Sequence, residues 1–277
     1  MRRNMGHTVA KTALLTRSTG TVVRTALTLL SGEISESQCE TFQVLYTEQH
    51  DASVDFWYQT PMRLVLANLN YSSWSMRAWL ALRLAELPFK TFDVAMKSQP
   101  DWKERILQFS GAGKVPVLVD GALTIHESLA ICEYVHELRP AARLWPEDRA
   151  LRARGRAISC EMLSSFSTLR SLMPCNVRGR SLRTPTSPAL DRDLARIFDI
   201  WEASLATSPG PYLLSDHLSI ADCMYAPVLF RFRTYGVALS DTVRSYSDAV
   251  LSHPHLVELQ HIAASTDPIA EYDAALQ

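Results

Sequence analysis

Two short motifs in this sequence carry residue types that can bind a peptide and an anion. The first is Val115-Pro116-Val117-Leu118, with a proline just inside a β-branched run. Proline cannot donate to a sheet ladder, so it belongs at an edge or bulge, where a neighbouring backbone group is free to meet a ligand. The second is Glu127-Ser128 before an apolar run, because a serine at a helix start exposes amides that hold an anion. Together they predict a site for a peptide backbone and a carboxylate.

A pair of serines, Ser72 and Ser73, comes directly before a predicted helix. A hydroxyl that donates a hydrogen bond to sulfur at the positive end of a helix favours a thiolate over a thiol. Lowering the pKa of a thiol from about 8.5 by two units favours the thiolate by roughly 2.7 kcal/mol. The alternative is that one of the serines is only a helix N-cap. The pair therefore predicts either thiol activation or capping.

Four motifs in a fixed order connect these sites to a known family. They are Asn70-Tyr71-Ser72-Ser73-Trp74-Ser75-Met76-Arg77, Gly113-Lys114-Val115-Pro116-Val117-Leu118, Glu127-Ser128-Leu129-Ala130-Ile131 and Ser219-Ile220-Ala221-Asp222. With them, the sequence from about Met62 to the C-terminus resembles the soluble glutathione S-transferases, and the serine motif is close to that of the zeta class. The zeta pattern places a cysteine two residues after its activating serine, where this chain has Trp74. That departure argues against isomerisation of the maleylacetoacetate type.

The resemblance implies a role for each of the motif residues. Ser72 takes the place of the activating serine and Ser73 is the close second. The family's proline is cis, so the backbone of Val115 would pair with the cysteinyl part of glutathione, whereas trans is the commoner state of an ordinary X-Pro bond. Glu127 would accept from the γ-glutamyl ammonium and Ser128 would hold its carboxylate. The glutathione-binding residues expected in this way are Lys97, Lys114, Val115, Pro116, Glu127 and Ser128, the two lysines being candidates for the glycyl carboxylate.

The pocket for a second substrate is expected in the family's helical domain. Its candidates are Trp74, Met173, Asn176, Arg178, Arg231, Arg233 and Tyr235. The three arginines could favour an anionic electrophile, or they could form internal ion pairs or line a dimer interface. Ser219 with Asp222 has the spacing of a capping box and is assigned to folding.

The elements that must position these residues follow from hydrophobic periodicity. Strands are predicted over 64–67, 89–94, 115–119 and 122–125, with Asp120-Gly121 as a hairpin turn. The first helix is predicted after the serine pair, where helical spacing runs from Met76 until Pro88 ends it. Further helices are predicted over 127–138, 147–173, 189–206, 219–234 and 254–264. The fold class is an α/β thioredoxin-like N-terminal domain, with a mixed four-stranded sheet and helices, followed by an all-α C-terminal domain. The domain bounds are 62–140 for glutathione and 141–277 for the second substrate.

Composition excludes several classes of function. With 47% hydrophobic residues, 21% charged residues and a net charge of -1, the chain has no basic surface interleaved with aromatics, so a nucleic-acid partner is not expected. Its five cysteines include no Cys-x-x-Cys pair, which predicts neither a disulfide framework nor a metal site. No segment approaches eighteen apolar residues, so no membrane partner is expected. The family resemblance implies a homodimer.

Residues 1–61 are interpreted as a leader or extension that precedes the fold. Residues 1–32 hold five basic residues and no acid, whereas residues 33–61 hold six acids and no Lys or Arg. The basic stretch is typical of an organellar transit peptide, and an over-extended reading frame with a start at Met62, or a disordered tail, is the favoured alternative. The expected location is therefore cytoplasmic.

The sequence predicts a glutathione transferase that joins the glutathione thiolate to a small electrophile, with detoxification as the family's typical role. Glutathione-dependent disulfide or peroxide reduction, or isomerisation, is a second enzymatic interpretation. The absence of a cysteine near Ser72 counts against an enzyme that forms its own mixed disulfide. A third interpretation is a non-catalytic transferase-like binding module.

Overall fold

A computed structural model of the chain describes residues 13–18, 21–26, 61–95 and 99–277. The chain divides into two units, residues 1–59 and 60–277. In the first unit, β1 (Ala13–Ser18) and β2 (Thr21–Ala26) form an antiparallel pair. The prediction of a leader over 1–61 otherwise falls outside the described residues.

The second unit begins with a mixed four-stranded sheet. Its strands are β3 (Met62–Leu66), β4 (Phe89–Asp93), β5 (Val117–Asp120) and β6 (Leu123–His126), in the order β4-β3-β5-β6. Strands β3 and β4 are parallel, and the other pairs are antiparallel. The β5–β6 hairpin turns at Gly121, whose φ of 56° is the conformation that glycine adopts without steric cost. The predicted mixed sheet is confirmed.

Three helices accompany the sheet: α1 (Ser73–Leu84), α2 (Trp102–Leu107) and α3 (Ser128–Leu138). Helix α1 buries nine of its twelve residues because α3 and helices later in the chain pack against it. The sequence did not predict α2, since six residues are too short for a convincing helical period.

The rest of the chain is helical. After a 3₁₀ turn at Pro140–Ala142 come α4 (Arg149–Ser164), α5 (Ser167–Leu172), α6 (Pro188–Leu205), α7 (Ile220–Tyr235), α8 (Asp241–Leu251), α9 (Pro254–Ser265), α10 (Ala270–Asp273) and a second 3₁₀ turn (Ala274–Leu276). The predicted run over 147–173 is two helices, because Phe166 has a φ of 64° that a helix cannot contain. Helices α8 and α10 were not predicted.

Helix α7 is the centre of the helical region. Fifteen of its sixteen residues are buried, and it contacts α1, α4 and α8. Its start carries the predicted capping box: the N–H of Ser219 donates to Asp222 Oδ2 at 2.8 Å, and the Ser219 hydroxyl donates to the same atom at 3.0 Å. The assignment of Ser219 and Asp222 to folding is confirmed. Because α7 packs on α1, the helical region directly supports the serine loop.

Candidate active site

A cavity of about 670 Å³ lies where the sheet-bearing part of the second unit meets its helices. Segments that are distant in sequence line it: the loop before α1, α2, the turn before β5, the start of α3, the ends of α4 and α5, α7 and α10. The lining residues are Tyr71, Ser72, Ser73, Trp74, Trp102, Ile106, Gly113, Lys114, Val115, Pro116, Glu127, Ser128, Leu163, Ser164, Arg170, Pro174, Cys175, Arg231 and Tyr272. The cavity thus brings together the serine pair, the proline motif and the Glu-Ser motif, which the sequence placed as much as 56 residues apart.

The two serines have different hydrogen-bond partners. Ser72 is the N-cap of α1, where its Oγ accepts from the N–H of Ser75 at 3.3 Å and donates to Ser75 Oγ at 2.9 Å. Ser73 is the first residue of α1, and its Oγ accepts from Nη2 of Arg231 at 3.3 Å. Both side chains are buried, at 6% and 4% exposure. The capping alternative therefore describes Ser72, while Ser73 contacts a cation.

The Val115–Pro116 peptide bond is cis, as the family resemblance implied. Val115 precedes β5, and no hydrogen bond among the described residues uses its backbone N–H or C=O. Backbone groups without a protein partner beside a cavity are suited to an extended peptide.

Glu127 and Ser128 form the start of α3. Glu127 has a φ of 75° and a ψ of 126°, a conformation that costs a non-glycine residue of the order of 1–3 kcal/mol. Ser128 is 1% exposed, and its Oγ has no hydrogen-bond partner among the described residues. A buried hydroxyl without a partner is costly unless a ligand supplies one. Because it lines the cavity at the positive end of an eleven-residue helix, this hydroxyl fits a carboxylate.

Of the two lysines predicted to bind the glycyl carboxylate, the structure describes only Lys114. Lys114 is exposed and lines the cavity beside Val115. Lys97 lies outside the described residues.

Of the residues predicted for the second substrate, Trp74 and Arg231 line the cavity. Four others, Met173, Asn176, Arg178 and Tyr235, are not among the residues that line it, and their assignment to the second substrate stays a prediction. Met173 is fully buried, and its carbonyl accepts from Nε of Arg231 at 2.8 Å. The Tyr235 hydroxyl donates to the carbonyl of Pro174 at 3.3 Å. Both residues are therefore behind the wall of the cavity.

Asn176 and Arg178 hold the segment after α5 against the serine loop. Asn176 receives a hydrogen bond from Nδ2 of Asn70 at 2.9 Å and is 1% exposed. Arg178 donates to the Tyr71 hydroxyl at 3.0 Å and also contacts the carbonyl of Thr266. Arg233, the remaining arginine of the predicted set, contacts Gln260 and the carbonyl of Val177. Asn176 and Arg178 thus bind protein groups at the serine loop, whereas Nε of Arg233 is buried without a hydrogen-bond partner among the described residues.

The sequence did not predict Arg170, Cys175 and Tyr272 as site residues. Arg170 is on α5, Cys175 follows α5, and Tyr272 is on α10, where its ring stacks on Tyr71 at 5.1 Å. No local signal marks them, because each is an ordinary residue of a helix or a short connection.

Three guanidinium groups lie near Trp74. Two of them lie over its ring, and the third contacts the adjacent residue, Ser73. Arg77 lies 4.4 Å and Arg170 lies 4.6 Å from the ring centroid, while Arg231 contacts Ser73. Burial, followed by the charges of Arg170 and Arg231, lowers the pKa of Arg77 to about 9. Burial and the charge of Arg231 lower the pKa of Arg170 to about 10. The wall of the cavity on the helical side is therefore strongly positive.

Cys175 places a thiol in this positive wall. Burial raises its pKa, although the charges of Arg231 and Arg77 act in the opposite direction. The thiol is therefore the dominant form at neutral pH, which does not favour a nucleophilic role.

Among the described residues, no group of three or more His, Cys, Asp and Glu side chains is arranged to hold a metal ion. Within the same part of the chain, no helix is long and apolar enough to cross a membrane.

Two family models match the chain. Residues 71–138 match "Glutathione S-transferase, N-terminal domain", and residues 184–258 match "Glutathione S-transferase, C-terminal domain". The two ranges together cover more than half of the chain and include the serine loop, the proline motif, Glu127-Ser128 and the capping box.

Similar proteins and structures agree with these matches. The chain is 29% identical over 182 residues to the maleylacetoacetate isomerase of Rattus norvegicus, covering 65% of this chain and 83% of that protein. A diazinon-metabolizing glutathione S-transferase of the silkworm, Bombyx mori, has a TM-score of 0.60 at 21% identity, over 74% of this chain and 97% of the other. A glutathione transferase homologue from Burkholderia, solved with bound glutathione, has a TM-score of 0.57 at 22% identity, over 75% and 100% of the two chains. Both structures share the fold of this chain.

Proposed function

Because this chain belongs to the glutathione S-transferase family, we propose that it binds glutathione in the cavity and joins its thiolate to a small electrophile. The observation that carries the proposal is the buried hydroxyl of Ser128 at the start of α3, which has no hydrogen-bond partner within residues 61–95 and 99–277. Removing a hydroxyl from water without a hydrogen bond is unfavourable, so a ligand carboxylate at this position explains why the serine is there.

The remaining contacts follow the shape of glutathione. The N–H and C=O of Val115 pair with the cysteinyl unit as an added strand would, and the carboxylate of Glu127 accepts from the γ-glutamyl ammonium. Lys114, exposed at the rim, pairs with the glycyl carboxylate. The serines at the start of α1 then face the sulfur, where a hydroxyl and the helix dipole favour the thiolate.

The proposal includes the organisation of the chain. Residues 62–140 form the glutathione-binding domain and residues 141–277 the second-substrate domain, and the protein acts as a cytoplasmic homodimer. The transferase assay begins with a model aryl halide. Light scattering of the purified protein checks the dimer.

A titration tests the proposed function directly. The ultraviolet absorbance of the thiolate is followed from pH 5 to 9 in the protein–glutathione complex, with S-methylglutathione as the blank because it lacks a thiol. An apparent pKa at least about one unit below that of the free thiol supports the transferase. An unshifted pKa with tight binding indicates the non-catalytic binding module, and no binding removes glutathione from the proposal.

Isomerisation is the second candidate, because the relative in Rattus norvegicus is named a maleylacetoacetate isomerase. The same thiolate would add reversibly to a conjugated double bond, so the site needs no further group. Trp74 in place of the cysteine of the zeta pattern argues against it. Turnover of maleylacetoacetate with recovery of all the glutathione would favour the isomerase, whereas consumption of glutathione with an aryl halide favours the transferase.

A further inference from the structure

The family resemblance places Ser72 in the activating position. In this structure, however, the hydroxyl of Ser72 forms hydrogen bonds within the protein. Its Oγ accepts from the N–H of Ser75 and donates to the Ser75 hydroxyl. Ser75 Oγ in turn accepts from the N–H of Ala67, just after β3, at 3.1 Å. A serine hydroxyl has one proton to donate. The hydroxyl of Ser72 therefore ties the start of α1 to the end of β3.

The hydroxyl of Ser73 is in the opposite situation. Its Oγ accepts from Arg231, and no hydrogen bond among the described residues uses its proton. Ser73 lines the cavity at the first position of α1, where the helix dipole favours an anion. An acceptor in the cavity can therefore receive this proton.

Two backbone carbonyls fix the guanidinium of Arg231 beside Ser73 and the cavity. Its Nε donates to the carbonyl of Met173 at 2.8 Å, and its Nη1 donates to the carbonyl of Pro227 at 3.3 Å. Both partners are neutral, and the side chain is 4% exposed. A cation that donates to a hydroxyl polarises the hydroxyl and makes it a better donor to an anion.

In the part of the chain that the structure describes, no counter-charge is in direct contact with the positive charge around Trp74. Arg77 is fully buried, and both of its terminal nitrogens lack a partner among the described residues. None of Arg77, Arg170 and Arg231 forms an ion pair in this part of the chain, although Asp193 attracts Arg170 at longer range. Buried cations normally have an anionic partner, so this cluster calls for a negative charge from a ligand.

We propose that Ser73 is the catalytic serine, that Arg231 is the positioning residue that fixes its hydroxyl, and that the guanidiniums around Trp74 provide the counter-charge for the glutathione thiolate. This inference rests on the proposed transferase function. The thiol S–H bond breaks and its proton goes to solvent water, while Ser73 keeps its own proton and donates a hydrogen bond to the sulfur. No electron transfer is involved.

The positive charge of Arg231 stabilises the thiolate rather than a carboxylate of the electrophile, because Arg231 and the sulfur share the hydroxyl of Ser73. Ser73 bonds Arg231 on one side and the sulfur on the other, so the sulfur lies two hydrogen bonds from the guanidinium.

The test compares the pKa of bound glutathione in four variants, again with S-methylglutathione as the blank. Ser73→Ala and Arg231→Met are each expected to raise this pKa by about one unit or more, and to lower kcat at pH 6.5 by about tenfold. Arg231→Lys keeps a charge and should recover part of the shift. Ser72→Ala should lower the free energy of unfolding while the pKa of the bound thiol stays within about 0.3 units of the parent value.

Three results would overturn the inference. A raised pKa in Ser72→Ala with a parent-like pKa in Ser73→Ala would make Ser72 the donor. A parent-like pKa in Arg231→Met, with selective loss of carboxylate-bearing electrophiles over a neutral aryl halide, would assign the charge to the second substrate. If both Ser73→Ala and Arg231→Met fail to fold, Arg170→Gln removes a half-buried charge without touching Ser73, and an unchanged thiol pKa in that variant would reject the counter-charge.

The parent protein separates this inference from the proposed function. Failure of the parent to bind glutathione or to lower the pKa of its thiol would reject the function itself. A lowered pKa in the parent together with any of the three results above would leave the function intact and reject only the assignment of Ser73 and its arginines.

Discussion

The side chain of Asn70, in the loop before α1, donates a hydrogen bond of 2.9 Å to the side chain of Asn176, which follows α5. The same Asn70 accepts from the N–H of Arg178 at 2.9 Å, and its carbonyl accepts from the N–H of Val177 at 3.0 Å. The pair therefore fixes the loop that carries Ser72 and Ser73 against the helical region. The position of the serines depends on residues more than 100 positions away in sequence.

Loss of this buried pair should affect both stability and glutathione binding. Asn176 also donates to Asp273 at 2.8 Å and accepts from the N–H of Gly179 at 3.0 Å, so Asn176→Ala removes three hydrogen bonds. We expect the free energy of unfolding to fall by about 2–4 kcal/mol in urea titrations, because buried partners are left unsatisfied. The KM for glutathione should rise as the serine loop shifts. The exposed Thr186→Ala is the matched control, and equal effects of the two variants would contradict the role of the pair.

Ser128→Ala should separate stability from binding. Because the Ser128 hydroxyl has no partner among the described residues, its removal should change the free energy of unfolding by less than about 0.5 kcal/mol. The Kd for glutathione should rise about tenfold, since a hydrogen bond to a charged group contributes roughly 1.5–3 kcal/mol. Calorimetric titration with glutathione and urea unfolding measure the two effects. A large loss of stability without loss of affinity would place the hydroxyl in the fold rather than in the site.

Glu127→Gly should stabilise the protein and weaken its binding site. The positive φ of Glu127 is strained for any residue with a Cβ, and glycine removes that cost, worth of the order of 1 kcal/mol. The carboxylate proposed to accept from the γ-glutamyl ammonium is lost at the same time. Glu127→Gln is the matched variant, because it keeps the strained backbone and removes only the charge. Thermal unfolding should rank glycine above parent and glutamine, and both variants should bind glutathione less tightly.

The buried carboxyl of Asp222 should make stability depend on pH. Burial raises its pKa to about 6, against the lowering effect of hydrogen bonds from Leu213 and Ser219. A group whose folded-state pKa is raised binds protons more readily in the folded state, so the stability it adds is present at low pH and is lost as pH rises through about 6.

Asp222→Asn, which cannot titrate, provides the comparison. Between pH 7 and pH 5 the parent should gain free energy of unfolding relative to this variant, measured by urea titration at each pH. Parallel pH curves for the two proteins would show that the carboxyl titrates at its ordinary pKa and that the hydrogen bonds outweigh burial.

Much of the fold could be predicted from the sequence because its signals are local. The Asp120-Gly121 turn, the stop at Pro88 and the box of Ser219 with Asp222 each depend on a few neighbouring residues. Helices α2 and α10 escaped prediction because six and four residues are too short to show a helical period. Helix α8 was missed although Val243, Tyr246 and Val250 recur at helical spacing and are buried.

The candidate site likewise has a part that the sequence predicts and a part that only packing determines. The sequence by itself determined the ligand-facing motifs, because Ser72-Ser73, Val115-Pro116 and Glu127-Ser128 each combine residue types that act at a helix start or a sheet edge. Only the tertiary structure decided which serine has a proton to donate and which arginines lie around Trp74 and Ser73. Arg77, Arg170 and Arg231 come from three helices separated by more than 50 residues, and their convergence on Trp74 and Ser73 depends on how α5 and α7 pack against α1. Arg178 and Arg233 have the same side chain but point to backbone carbonyls elsewhere, a difference that packing sets and residue type cannot encode.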